Sequence, residues 1–430
     1  MEESLSKEWQ DKKSDPSISS ERENPLKLLK SINKTQFITF FVTYLSWTFV
    51  SFDYFIVTFT LPYIAKDFKL KPSDVAVSIT LMLTFRPLGA LIFGLLSDKY
   101  GRKYPLMANI FIFSGLQLAS GFAPNFLTYS ITRAIFGMAM GGEWGLGAAL
   151  AMEALPLESR GLLSGILQEG YALGFLLAAV VYYAVITNWG WRTTYYIGSF
   201  PILLVLIIYF LVPESEEWKR LHAERKTTKI NPREKTRSII INHWKIFLFS
   251  ILLMTALNFI VHGSKDLYPT FLNVQLDFTP GQITFITIIA NIGSIIGGII
   301  NGYICHFLGR KNAMITFTFL AGCFLPLYVL PRNYIVLTIG AFAVYLCIGG
   351  SWGSIPAYLN EIAPVELRGT FPGLVYQTGT LLASSSAQIE AFFGEMIKEE
   401  DSPDYGLTIA LLTSLFVIVI IIILKFTNNV

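Results

Sequence analysis

Gly94-Leu-Leu-Ser-Asp-Lys-Tyr-Gly101-Arg102-Lys103 returns as Gly302-Tyr-Ile-Cys-His-Phe-Leu-Gly309-Arg310-Lys311, 208 residues further on. At the same offset Gly141-Gly-Glu-Trp-Gly145 meets Gly349-Gly-Ser-Trp-Gly353. So does Glu153-Ala-Leu-Pro-Leu-Glu-Ser-Arg160-Gly161, which meets Glu361-Ile-Ala-Pro-Val-Glu-Leu-Arg368-Gly369. Three ungapped matches in one register describe a chain built from two copies of one unit. The sequence around them says what the unit is. It consists of apolar runs of about 20 residues, bounded by charge, Pro or Gly, each long enough to cross a bilayer as a helix.

Composition agrees. The 430 residues are 53% hydrophobic and 15% charged, with a mean hydropathy of +0.52. A soluble domain needs about 25% charged residues to face water. The net charge of +3 is too small to suggest a nucleic-acid partner. A soluble enzyme, a secreted scaffold and a single-pass receptor are excluded together. Cys305, Cys323 and Cys347 all lie in apolar runs, where they read as packing residues rather than disulfides or metal ligands. Neither a metal nor a cofactor is expected. The first 36 residues are too polar for a secretory signal, so the spans themselves are expected to insert the chain.

Twelve spans are expected, near 37–63, 74–97, 104–122, 127–153, 161–186, 192–212, 244–272, 281–305, 311–331, 333–360, 369–393 and 404–426. The predicted organisation is therefore a polar tail (1–36), a six-helix half (37–212), a linker (213–243) and a second six-helix half (244–430). An even number of spans separates the copies, so both point the same way across the membrane. Such parallel repeats are a transporter architecture, with the site at the midplane between the halves. The tail carries seven Lys/Arg and the linker eight, and the positive-inside rule places both termini in the cytoplasm. The lipid bilayer is then the chain's largest partner, and the plasma membrane its expected location.

Ionisable residues inside the spans each need a reason, because a charge at the bilayer centre costs about 2.5–3.5 kcal/mol on insertion scales. They are Asp53, Arg86, Arg133, Glu143, Glu169, His262, Lys265 and Asp266. Asp53 and Arg133 fall at heights only about 6 Å apart at 1.5 Å per residue, so an Asp–Arg pair that a proton would weaken is expected. In span seven, Asn258, His262, Lys265 and Asp266 share an arc of about 100° on an otherwise apolar helix. Gly263 and Pro269 are the expected breaks in it. Such a polar face is where a cavity for a small solute is expected. In the short turn between spans two and three, Gly101 permits a tight reversal. Asp98, Arg102 and Lys103 can reach only neighbouring helix ends from there. They read as a charged latch, with Arg310 in the second copy, where His306 replaces Asp98.

Several of these motifs resemble the major facilitator superfamily. They are Gly94, Asp98, Gly101, Arg102 and Lys103; Arg133, Gly137 and Gly141; and Pro213-Glu214-Ser215 before Trp218. The Asp53–Arg133 arrangement is similar to that of proton-coupled sugar porters. Span seven resembles the signature of fungal Jen-type carboxylate permeases: Asn258, His262, Ser264, Asp266 and Thr270 match it, while Val261 and Lys265 depart from it. Tyr376-Gln377-Thr378-Gly379-Thr380 is similar to the same family, which has Asn at the position of Thr380. The Gly-Glu-Trp-Gly segment and Trp191-Arg192 resemble sialate porters.

The resemblance implies proton-coupled uptake of short mono- or dicarboxylates of the lactate, pyruvate, malate and succinate class. Arg86 and Lys265 are then the expected anion anchors, with Asn258, His262, Tyr376 and Gln377 completing the substrate site. Asp53, Arg133, His262 and Asp266 are the expected proton-coupling residues, and Asp98, Arg102, Lys103 and Arg310 the gate. A sialate or sugar porter of the same fold is the nearest alternative, and a transporter-like nutrient sensor a more distant one. No nucleophile–base constellation supports an integral membrane enzyme.

Overall fold

The structure is a computed structural model that describes residues 27, 29–227, 241–399 and 402–426. Most of the expected tail and the middle of the expected linker lie outside the described residues. In the first half, span one is Lys34–Phe68, span two Pro72–Thr84 with Arg86–Tyr100, span three Lys103–Gly121 and span four Phe126–Ala154. Span five is Arg160–Gln168 followed by Gly170–Gly198, which turns at Gly190 into span six and ends in Ile202–Leu211. In the second half, span seven is Trp244–Lys265, Tyr268–Thr270 and a π-turn at Phe271–Gln275. Spans eight and nine are Pro280–Leu308 and Arg310–Val329, and span ten is Tyr334–Gly353 with Ile355–Ile362. Span eleven is Phe371–Ala383 with Ser386–Met396, and span twelve is Tyr405–Phe426. A two-residue antiparallel pair, Lys398–Glu399 against Ser402–Pro403, precedes the last helix. Among the described residues eight helical stretches are long and apolar enough to cross a membrane on their own, one of them (Arg160–Leu211) holding two rods. This is an all-α membrane fold.

Local chemistry explains the ends. Asn33 and Gln36 form a reciprocal capping box at the start of span one, with bonds of 2.8 and 3.0 Å. Thr279 and Gln282 repeat the arrangement at span eight, and Asn125 caps span four. Gly101 and Gly309, repeat equivalents, turn the chain with φ of 101° and 80°, a region that favours glycine. The two halves also share their packing. At Gly89 a Cβ would strike the backbone of Met138, and at Gly297 that of Leu346. Both members of the second contact stand 208 residues after those of the first. Small residues let these helices approach closely, as interfaces in lipid require.

The breaks are where expectation and structure part. Span seven was expected to yield at Gly263 and Pro269. It runs helically through Gly263 and breaks just after Lys265. Pro269 lies in the following helical turn, at a position where a missing N–H costs nothing. Spans two, five, ten and eleven are also broken, at Phe85, Glu169, Ser354 and Ser384-Ser385. The contacts between halves concentrate near one end. There Arg86–Tyr100 packs on Phe371–Ala383, Arg160–Gln168 on spans eight and ten, and span four on Ile355–Ile362 and Phe371–Ala383. That end carries the latch turns and the linker. The opposite segments of spans two and eleven pack within their own halves.

Candidate functional site

Arg86 stands at the break in span two and is buried, yet its Nε and Nη2 have no hydrogen-bond partner among the described residues. The Tyr376 hydroxyl of span eleven faces it from the other half. Tyr376 is flanked by two repeat-related tryptophans, Trp144 at 4.6 Å and Trp352 at 5.6 Å between ring centroids. Tyr54 and Tyr171 complete an aromatic wall within electrostatic reach of the guanidinium. Gln377, fully buried one residue on, leaves both amide atoms without a partner among the described residues. A cation with two unpartnered nitrogens and an unpartnered amide behind aromatic faces form a site with binding capacity in reserve.

On span seven the expected polar face is divided. Asn258 is buried and structural: it donates to Met254 O at 2.8 Å and accepts from Thr380 Oγ1 at 3.3 Å. Thr380, the departure from the family pattern, thus still meets Asn258. Lys265 is half-buried, with Nζ 4.4 Å from the centre of the Tyr345 ring, and Glu169 of the first half lies within its electrostatic reach. His262 and Asp266 are the wettest members, 33% and 43% exposed, and joined by Nδ1 to Oδ2 at 3.0 Å. Arg86, Lys265, Tyr376 and Gln377 are therefore groups that can offer themselves to an anion, while Asn258 serves packing.

The expected Asp53–Arg133 ion pair is not formed. Arg133 donates to Gln117 Oε1 at 2.8 Å, to Ser120 Oγ at 3.1 Å and to Leu116 O at 3.2 Å, and lies 4.5 Å over Phe136. Asp53 is fully buried with both oxygens unpartnered among the described residues. A Cβ added at Gly198 would strike both Asp53 Oδ1 and the Gln117 amide nitrogen. Gln117 of span three has taken the place of the carboxylate, because a neutral amide can satisfy a buried guanidinium without bringing a second charge into the core. Sequence spacing brought Arg133 within electrostatic reach of Asp53 but carried no sign that Gln117 would take its hydrogen bond.

The expected gate residues lie at the linker end and do different things. Asp98 accepts from Arg102 Nη1 at 2.8 Å and reaches into the other half. There it takes the backbone N–H of Gly369 at 2.8 Å, that of Thr370 at 3.1 Å and the Thr370 hydroxyl at 2.6 Å. Arg102 pairs within its own half, with Glu153 at 2.9 Å. Burial disfavours the Arg102 charge, but Glu153 and Asp98 together hold its pKa above the ordinary value. Lys103 donates from Nζ to Tyr209 O at 2.9 Å and from its backbone to Glu214. Arg310 pairs with Glu361 at 3.1 Å, the repeat of the Arg102–Glu153 contact. Arg192, singled out beside Trp191, ties spans six and one together through Asp67, away from Arg86. Among the described residues no three His, Cys, Asp or Glu side chains converge as metal ligands would.

Residues missed from the sequence include Glu390 on span eleven, a fully buried carboxyl in an apolar setting. A Glu followed by Ala391-Phe392-Phe393 was the available signal. Glu143, already expected among the intramembrane charges, is buried with both oxygens unpartnered among the described residues.

Among the described residues, helical spans in repeated packing close at one end, and a buried cation stands at a break between the halves. The chain belongs to the Major Facilitator Superfamily, whose model matches residues 37–387. It is 30% identical over 424 residues to a carboxylic acid transporter protein homolog of Saccharomyces cerevisiae, covering 91% of this chain and 68% of that one. It is also 30% identical over 352 residues to the sialic acid transporter NanX of Escherichia coli, covering 81% and 85%. In fold it matches the human organic anion transporter MFSD10, at 12% identity, with a TM-score of 0.71 over 90% of this chain and 99% of that one.

Proposed function

We propose that this protein is a secondary transporter that takes up short mono- or dicarboxylates together with a proton, by alternating access. One observation carries the reading. Arg86 is buried at a helix break between the halves, with unpartnered guanidinium nitrogens among the described residues, beside a tyrosine from the opposite half. A planar fork of donors suits a carboxylate. Reduced dielectric makes the attraction stronger than in water. Lys265, from the second half, is the second cation, and the hydrogen-bonded His262–Asp266 dyad is the proposed proton entrance. The similarity to a carboxylic acid transporter homolog supports the substrate class. The positive-inside rule supports a plasma-membrane orientation with the linker end cytoplasmic.

Sialate is the second reading, favoured by the NanX similarity and by the unpartnered Gln377 amide, which suits a hydroxylated acid. Uptake of labelled lactate, succinate, sialate and glucose at two external pH values separates them. Saturable, acid-stimulated uptake of lactate or succinate is expected. Glucose uptake without any carboxylate transport would refute the proposal. Arg86→Ala should abolish carboxylate binding in a correctly localised protein; unchanged affinity would remove Arg86 from the site.

A further inference from the structure

Behind the wet His262–Asp266 dyad lies a dry acid. Glu390 is fully buried, and neither of its carboxyl oxygens has a hydrogen-bond partner among the described residues. It reaches span seven at Gly263, where an added Cβ would lie 2.8 Å from Oε1. Gly263 thus supplies the room that lets the carboxyl press against the helix carrying His262 on one side and Asp266 on the other. Buried carboxylates without partners are costly charged, so the group needs either a proton or a reason to exist.

Its surroundings are few in charge. Asp266, from span seven, lies within electrostatic reach, and the same helix carries His262 and Lys265. Span nine presents Tyr328, whose hydroxyl donates to Ser264 O at 2.6 Å. Span twelve brings Leu412 to Gly263 and Tyr405 to Gly394, one turn beyond Glu390. Among the described residues no cation is paired with Glu390. Asp53 and Glu143 are as dry, but neither adjoins a solvent-exposed acid–base pair.

We propose that Glu390 is the internal proton site of the transport cycle, loaded and unloaded through the His262–Asp266 dyad. A proton from the external solution protonates the dyad and passes to Glu390, which holds it neutral while the halves rearrange. The dyad is partly exposed, whereas the Glu390 carboxyl is enclosed and so suited to keeping a proton while the halves rearrange. This inference rests on the proton-coupled reading given above, and the experiment keeps the two apart.

Glu390→Gln keeps the shape and removes the titration. Wild-type protein reconstituted in vesicles should accumulate labelled lactate or succinate down an imposed proton gradient. If wild type shows no such accumulation, proton coupling itself fails. Given coupling in the wild type, Glu390→Gln should equilibrate substrate without accumulating it and should still exchange labelled for unlabelled substrate. Glu390→Asp should recover part of the accumulation. Accumulation by Glu390→Gln at the wild-type level would overturn the assignment. Infrared spectroscopy gives a readout that does not depend on transport. The wild-type-minus-variant difference spectrum near neutral pH should show one protonated-carboxyl carbonyl band that Glu390→Gln lacks, the contributions of Asp53 and Glu143 cancelling between the two proteins. A difference spectrum without that band, from a folded variant, would also overturn it.

Discussion

The two latch turns share one motif and differ in what surrounds it. In the first, Ser97-Asp98 precedes Gly101-Arg102; in the second, Cys305-His306 precedes Gly309-Arg310. The intra-half ion pair survives in both, Arg102–Glu153 and Arg310–Glu361, at 2.9 and 3.1 Å. Its surroundings do not. The first pair is 2% and 3% exposed, the second 15% and 32%. Asp98 spans the seam between halves and caps the start of span eleven, whereas a histidine stands at the matching place beside span five. At the linker end Asp98 fastens a carboxylate of the first half to backbone donors of the second, and the Ser164 hydroxyl accepts the Ala357 N–H beside it. On the alternating-access reading proposed above this end must open, and Asp98 carries three of the bonds that hold it.

Asp98→Ala is the strongest way to break the comparison. It removes three bonds across the seam and leaves Arg102 short of a partner; loss of one partner of a buried pair costs about 3–5 kcal/mol. The expected outcome is a linker end that opens readily, seen as faster labelling of a cysteine introduced at Ala357, which is fully buried there next to Ser164 of span five. Unchanged labelling would mean that the apolar contacts alone hold the seam. Next in size, Glu153→Gln should lower thermal stability by about 1–3 kcal/mol, as expected when a buried polar partner is lost. Glu361→Gln, at the more exposed pair, should cost about 0–1 kcal/mol. Equal shifts in melting temperature for the two variants would erase the asymmetry.

His306→Asp asks whether the second latch can be restored. The Ser159 side chain makes no capping bond at the start of span five, where Gly161 is the repeat equivalent of Gly369. An aspartate at 306 would be placed to cap it as Asp98 caps span eleven, a gain of about 0.5–2 kcal/mol for the closed seam. Slower turnover with unchanged substrate affinity is the expected result. A faster or unaltered turnover would show that the second turn does not bear on closure.

Much of this asymmetry was legible early. The exchange of Asp98 for His306 is visible in the aligned repeats, and so is the conserved Arg–Glu spacing of 51 residues in both copies. The direction in which Asp98 reaches was not, because its partners are backbone N–H groups that no side-chain pattern announces. Gly263 makes a similar point. Read along the chain it signals a helix break; in the fold it is the space that admits Glu390. Arg133 is a mixed case: matching depths placed it within electrostatic reach of Asp53, but its donors go to Gln117, Ser120 and Leu116.

Sequence alone determined that this chain lies in a membrane, that it is two copies of a six-helix unit, and that Arg86 and Lys265 are charges requiring an account. Those conclusions rest on local quantities: apolar run length, repeat register and the cost of a charge in hydrocarbon. Tertiary structure decided which of those charges are satisfied, which end is sealed and which buried acid meets the exposed dyad. These depend on contacts between residues more than a hundred positions apart, Asp98 with Thr370 and Glu390 with Gly263. In a helical bundle such contacts are set by how whole rods pack and rotate against one another, which no window along the chain encodes.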